Sequence, residues 1–307
     1  MSEPRIWNDP DAFAAHARQL PRRAPGVPRG VFLVTPVGFH LAAESARDNA
    51  YMQMAAGVDA GRALAQHLAL AQQLARAGIP VSSFAGHPDT PDAVFPNNVY
   101  ATAPGRLIVG AMRHAVRQRE ARRGDIRAWF RDLLGYREID LSGRGFVAEL
   151  TGSLVIDRSR GIGYCGLSER CDRDGAAAMA HAFGLDEVLL FDLAPGEYHT
   201  NVVMSALDGR GVLICPDGFA DRRVAEAIIG IHGAASIVID AGEKAAYAGN
   251  CIALGEAGLW MSACAARSLR PDTRDAIAAL GLQIHAVELD ELEKAGGSLR
   301  CMIGEIY

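Results

Sequence analysis

HTNVVMSALDGRGVLICPDG, residues 199–218, carries the outline on which the rest of the chain is built. A polar opening leads into an apolar strand, a tight turn containing Gly, and a second apolar strand. The same outline recurs in NNVYATAPGRLIVGAM from Asn97, TGSLVIDRSRGIGYCGLS from Thr151 and GNCIALGEAGLWMSACAA from Gly249. Another copy, GGSLRCMIGEIY (296–307), stops after its first strand.

The copies start about 50 residues apart, the scale of propeller blades rather than solenoid coils. Helix-like stretches fill the intervals: GRALAQHLALAQQLARAGI, DGAAAMAHAFGL and TRDAIAALGL. Gly78 follows the first of these as a C-cap would. Short strands come next in each unit: VSSF, EVLLFD, ASIVIDA and LQIHAVEL. The unit therefore reads strand–hairpin–helix–strand. The incomplete last copy needs a partner, and GVFLVTPVGF (30–39) supplies an orphan strand. Joining first and last strands closes a ring, which removes exposed sheet edges. The expectation is an α/β fold, a five-bladed α/β propeller, with one closed domain over residues 30–307 and an N-terminal extension over 1–29. The alternative is an α/β sandwich whose spacing is coincidental.

A ring has a consequence for chemistry. The openings of successive hairpins converge on one axis. Asn97 and Asn98, Glu149, His199 and Asn201, Asn250, and Cys301 would then face one another across some 200 residues of sequence.

Composition narrows the function classes. Half of the 307 residues are hydrophobic and the net charge is −5, which leaves no basic footprint for nucleic acid. The basic run RHAVRQREARRGDIR (113–127) interleaves arginines and acids at helical spacing and reads as a solvated helix face. No apolar run reaches the roughly 18 residues of a membrane span, and the N-terminus has no secretory core. None of the six cysteines forms a CxxC pair or a zinc spacing, so they read as reduced thiols of a cytoplasmic protein.

Five motifs stand in order along the chain: VFPNN (94–98), AELTGSLVIDR (148–158), GLSERCD (166–172), YHTNVVM (198–204) and GGSLRCM (296–302). Together they resemble the guanidino-group-modifying superfamily of arginine deiminases, dimethylarginine hydrolases, amidinotransferases and succinylarginine dihydrolases. Within it the similarity runs closest to the arginine-deiminase-related branch associated with citrulline utilisation. The resemblance covers roughly residue 30 to the end and implies the same five-bladed fold. It also implies Cys301 as nucleophile, His199 as general acid and base, and Glu149 as the carboxylate that orients His199. Arg170 corresponds to the arginine that holds the substrate's α-carboxylate, and Phe95, Asn97, Asn98 and Asn201 stand at substrate-binding positions.

These roles suit the residue types. A thiol attacks as its thiolate and needs a base or a lowered pKa. Imidazole exchanges protons near neutral pH. A carboxylate in the otherwise small and apolar run FVAELTGSLVI must be buried and therefore paired. In SARDNAYMQ (45–53), Asn49 or Arg47 stands at the substrate rim or the segment is a capped helix start.

The chain departs from the deiminase pattern at two places. Deiminases carry aspartates where Asn98 and Asn201 stand here. Two amides complement a neutral ureido group, whereas a buried cation lacks anions there. The first expectation is therefore hydrolysis of L-citrulline to ornithine, ammonia and carbon dioxide. The alternatives are a deiminase, dihydrolase or amidinotransferase acting on arginine or a derivative, and a non-catalytic amino-acid-binding member. No metal or organic cofactor is expected. The expected partner is a small amino acid, with no nucleic acid and no membrane, and family habit extends at most to a homodimer.

Overall fold

A computed structural model describes residues 3–23 and 26–307. Its strands form five separate small sheets. Four are three-stranded and share one plan, an antiparallel hairpin whose second strand takes a parallel third. Met204–Ala206 pairs antiparallel with Val212–Ile214, and Ser236–Val238 joins in parallel. Tyr100–Ala103, Arg106–Val109 and Arg137–Asp140 repeat this, as do Ile252–Leu254, Gly258–Ser262 and Gln283–Val287. The orphan strand finds its predicted partner: Gly30–Val34 pairs antiparallel with Gly304–Ile306 and in parallel with Val81–Phe84. The first and last strands of the ring reading thus share one sheet.

The remaining sheet has four strands. Leu154–Asp157, Ile162–Leu167 and Glu187–Asp192 follow the plan, and Arg5–Trp7 adds a parallel edge to the last. Residues read from sequence as an extension are thus built into the fold. Pro10–Ala17 is a helix capped by Asp9, and it buries Phe13, Ala14 and Ala17 against the helix Arg222–His232. Residues 1, 2, 24 and 25 of that stretch lie outside the described residues.

Local chemistry explains the hairpins. Asp208 and Gly209 both take positive φ, 48° and 72°, the pair that matches the twist of a two-residue hairpin turn. The predicted helices form at Ala60–Arg76, Arg173–Phe183 and Pro271–Ala279.

The core comes in five apolar clusters, each drawing on two sheets. Phe32 and Val34 meet Tyr100 and Leu107. Ala101 and Ile108 meet Leu154 and Cys165. Val155 and Tyr164 meet Met204 and Val212. Leu207 and Leu213 meet Leu259 and Met261. Ile252 and Trp260 meet Val31 and Leu33, so the last sheet packs against the first.

One expectation fails here. The basic run 113–127 is not a solvated face throughout: Arg117 and Glu120 are buried, with Arg117 Nε 2.9 Å from Glu120 Oε1. The helix carrying them turns this pair inward, toward the site described next.

Candidate active site

Short helical turns precede most of the hairpins, and they carry the polar residues picked out in sequence. Pro96–Asn98, Leu150–Ser153, Thr200–Val203 and Leu299–Met302 are such turns, with Glu149 and His199 just ahead of the second and third.

Glu149 and His199 are wholly buried, and His199 Nε2 lies 2.9 Å from Glu149 Oε2. Glu149 also accepts from Arg170 Nη1 at 3.2 Å and from the Arg113 backbone N–H at 3.2 Å. Burial alone would raise its pKa; the Arg170 guanidinium and the His199 hydrogen bond outweigh that and hold it well below the usual carboxylate range. An ionised Glu149 fixes the tautomer of His199: Nε2 carries the proton and donates it. Nδ1 is then the basic nitrogen, and it has no hydrogen-bond partner. Burial holds His199 below its ordinary pKa, so the ring rests neutral. Two backbone details support this pair. A Cβ at Gly152 would lie 2.7 Å from His199 Cε1, so only glycine leaves room for the ring. Leu150, beside Glu149, takes φ +22°, a strained value for a branched side chain.

Cys301 is buried on the turn Leu299–Met302. Its Sγ lies 3.3 Å from Asn250 Nδ2 and 3.8 Å from Asn201 Oδ1. Burial pushes the thiol pKa up, and the Asn250 hydrogen bond works against that. Asn201 spans the two halves of the site, since its Nδ2 donates to Thr151 O at 3.0 Å, one residue from the glycine under His199.

A small cavity lies against the thiol, lined among others by Phe95, Asn98, Arg170, Tyr198 and Cys301. Of the sequence candidates, Phe95, Asn98, Arg170 and Cys301 line it; Glu149 and His199 stand behind Arg170, which bonds Glu149, and Asn201 reaches the sulfur without lining the cavity. Asn97 does not line the cavity: its Nδ2 donates to Thr151 Oγ1 at 3.3 Å, tying two turns together. Arg170 lines the cavity, yet its N–H groups are already engaged. They reach Glu149, the Ser45 carbonyl at 2.9 Å, and Asp48 Oδ1 at 2.8 Å from Nε. The expected carboxylate clamp is thus a buried arginine whose present bonds serve Glu149 and Asp48.

Sequence reading gave no role to Asp92, Ser45, Arg117 or Asp48. Asp92 is buried in the cavity wall and accepts from Ser45 Oγ at 2.6 Å. Arg117 lines the same cavity, with Nη2 donating to Phe95 O at 2.8 Å. Burial raises Glu120, the partner of Arg117, to about 8. Their sequence signal was faint: Asp92 stands three residues before Phe95, and Arg117 was hidden among other arginines. From SARDNAYMQ, Ser45 and Asn49 line the cavity while Arg47 is exposed.

The arrangement offers a sulfur nucleophile, a neutral imidazole oriented by a carboxylate, and buried charges of both signs. Among the described residues no helix is long and apolar enough to cross a membrane.

Comparison with known proteins adds the following. The profile of the family described as N,N dimethylarginine dimethylhydrolase, eukaryotic, matches residues 35–307. An N(G),N(G)-dimethylarginine dimethylaminohydrolase of Mycobacterium tuberculosis is 27% identical over 303 residues, 98% of this chain and 94% of that protein. The N-terminal domain of ArgZ, an arginine dihydrolase from the ornithine–ammonia cycle in cyanobacteria, superposes with a TM-score of 0.77 at 20% identity, over 90% of this chain and 97% of its own. A dimethylarginine dimethylaminohydrolase adduct with S-methyl-L-thiocitrulline superposes with a TM-score of 0.69 at 20% identity, over 91% of this chain and 100% of its own. The superpositions establish a shared mixed α/β fold.

Proposed function

The chain belongs to the eukaryotic N,N-dimethylarginine dimethylhydrolase family, hydrolases of guanidino C–N bonds, and on that premise we propose that it hydrolyses the guanidinium of a free arginine-type amino acid, arginine or an N-methylated arginine, with Cys301 as nucleophile. The observation that carries this reading is one buried set: Arg170–Glu149–His199 beside Asn250–Cys301–Asn201, with a cavity against the thiol.

The chemistry balances with these groups alone. Cys301 Sγ adds to the guanidinium carbon and forms a C–S bond, its proton passing to Nδ1 of His199. One C–N bond breaks as His199 returns that proton to the departing amine. Water then adds to the S-linked carbon and gives its proton to His199. The C–S bond breaks and the thiol is restored. Glu149 holds Nε2–H throughout, so Nδ1 stays free for the traffic.

A guanidinium takes precedence over citrulline for two reasons. The case for citrulline assumed that no anion besides Glu149 stood near the amides. Asp92, buried in the same wall, is a second one. The thiol also gains more from a cation: burial holds Cys301 in its protonated form, and a positive charge beside it favours the thiolate. Citrulline, being neutral, gives no such help. It stands as the second reading, favoured by the amides Asn98 and Asn201.

The five sheets support a ring in which each is one blade of a single domain, because each cluster joins neighbouring sheets and the last joins the first. An amine-release assay tests the function, using arginine, N,N-dimethylarginine, citrulline, N-succinylarginine and agmatine, with Cys301→Ser as control. Turnover of arginine or its methylated form supports the reading, and turnover of citrulline alone overturns it.

A further inference from the structure

Asn250 has no part in the steps above, yet it makes the shortest polar contact with the nucleophilic sulfur. Its side chain is wholly buried. Nδ2 has three acceptors within reach: Asn201 O at 2.9 Å, Asn201 Oδ1 at 3.3 Å and Cys301 Sγ at 3.3 Å. Oδ1 faces the Cys301 backbone N–H at 3.4 Å. The amide orientations follow from the network. Asn201 donates from Nδ2 to Thr151 O, so its Oδ1 turns to the sulfur; Asn250 must place Nδ2 against the Asn201 carbonyl.

An amide nitrogen has two protons, and three acceptors must share them. The charge on the sulfur decides the sharing. A neutral thiol is a weak acceptor. Its own proton points to Asn201 Oδ1, 3.8 Å away, and the two N–H groups of Asn250 serve the two Asn201 oxygens. A thiolate is an ionised acceptor and forms the stronger bond. One N–H of Asn250 then turns from Asn201 Oδ1 to Sγ, and Asn201 Oδ1 is left with neither donor.

We propose that Asn250 is the donor that takes up the charge of the Cys301 thiolate, and that its change of partner frees Asn201 Oδ1 to accept an N–H of the substrate. The first half concerns the protein without substrate, in the fraction whose thiol is ionised. The second half rests on the proposed function. In the full cycle no atoms are exchanged at Asn250: one hydrogen bond breaks, another forms, and the thiol proton leaves to His199.

The experiment is the pH dependence of Cys301 alkylation by iodoacetamide, without substrate, read from the mass of the peptide containing residue 301. Wild type is compared with Asn250→Ala and Asn250→Asp, each checked for a cooperative thermal transition. Removing the donor should move the inflection up by about one pH unit and slow alkylation near neutral pH by about tenfold. Asn250→Asp, nearly isosteric, should move it further, because a carboxylate repels the thiolate. A purely structural role would alter rates for all cysteines without moving the inflection of this one. An inflection unchanged from wild type in a folded variant overturns the proposal. Protection of Cys301 by arginine or N,N-dimethylarginine is read in the same samples. Its absence in wild type, with the inflection still shifted in the variants, would count against the proposed function and leave the donor assignment standing.

Discussion

Replacing Glu149 by Gln changes one charge in a wholly buried site and almost nothing in size. Glu149 accepts from His199, Arg170 and the Arg113 backbone, at 2.9, 3.2 and 3.2 Å. An amide offers one acceptor and sets an NH₂ against a donor, either the imidazole N–H or the guanidinium. Removing one partner of a buried ion pair costs about 3–5 kcal/mol. Arg170 keeps Asp48 as a second partner, which places the loss near the lower end, about 3 kcal/mol. In a chain of this size that lowers Tm by roughly 5 °C. The pH dependence has a definite sign. Glu149 is depressed in the folded state, so its stabilisation is present above the unfolded carboxyl value near 4.3 and is lost only as pH falls toward the folded one. The Tm deficit of Glu149→Gln should therefore stay constant from about pH 9 to about pH 5 and narrow in stronger acid. Activity should fall by about 10²–10⁴, because the imidazole loses the carboxylate that fixes its tautomer. Thermal melting across this range and amine release are the assays. Equal melting temperatures with full activity would refute the pairing, and a deficit that widens in acid would refute the sign.

Gly152→Ala should push the His199 ring aside, since a Cβ there lies 2.8 Å from Nδ1. We expect a stability loss of about 1–3 kcal/mol and a drop in kcat of about 100-fold, measured by melting and amine release; full activity would place His199 outside the reaction. Burial lowers His67 and His232 to about 4, so the unfolded chain binds protons that the folded one refuses below about pH 6.5. Stability should decline as pH drops from 6.5 toward 4, His67→Leu should flatten part of the decline, and a level Tm over that window would contradict this. The pair Asn98→Asp and Asn201→Asp should weaken any citrulline turnover and strengthen guanidinium turnover, compared as kcat/KM; the opposite preference would sink the reading of these amides.

Much of this site was legible because a repeat repeats its geometry. The hairpin outline around residues 199–218 was enough to expect that Asn98, Glu149, His199, Asn201, Asn250 and Cys301 stand at equivalent positions. The pairing of Gly30–Val34 with Gly304–Ile306 follows from the same count of unpaired strands. What the pattern could not carry lies outside the repeat. Asp48 and Ser45 come from an irregular segment whose contacts with Arg170 depend on how it folds over the cavity. Arg117 and Glu120 mimic a solvated helix face, because helical spacing alone does not say which side meets the protein. Residues 5–17 carry a good helix start, Asp9 before Pro10, but nothing local says that a strand beside it will complete another sheet.

The most direct test is a mass measurement on the peptide carrying residue 301, taken after mixing the enzyme with an arginine-type substrate and quenching in acid. A covalent adduct on Cys301 during turnover, absent from Cys301→Ser along with the turnover itself, is the predicted result. Amine release that persists in Cys301→Ser, with no modification of that peptide in wild type, would contradict the account.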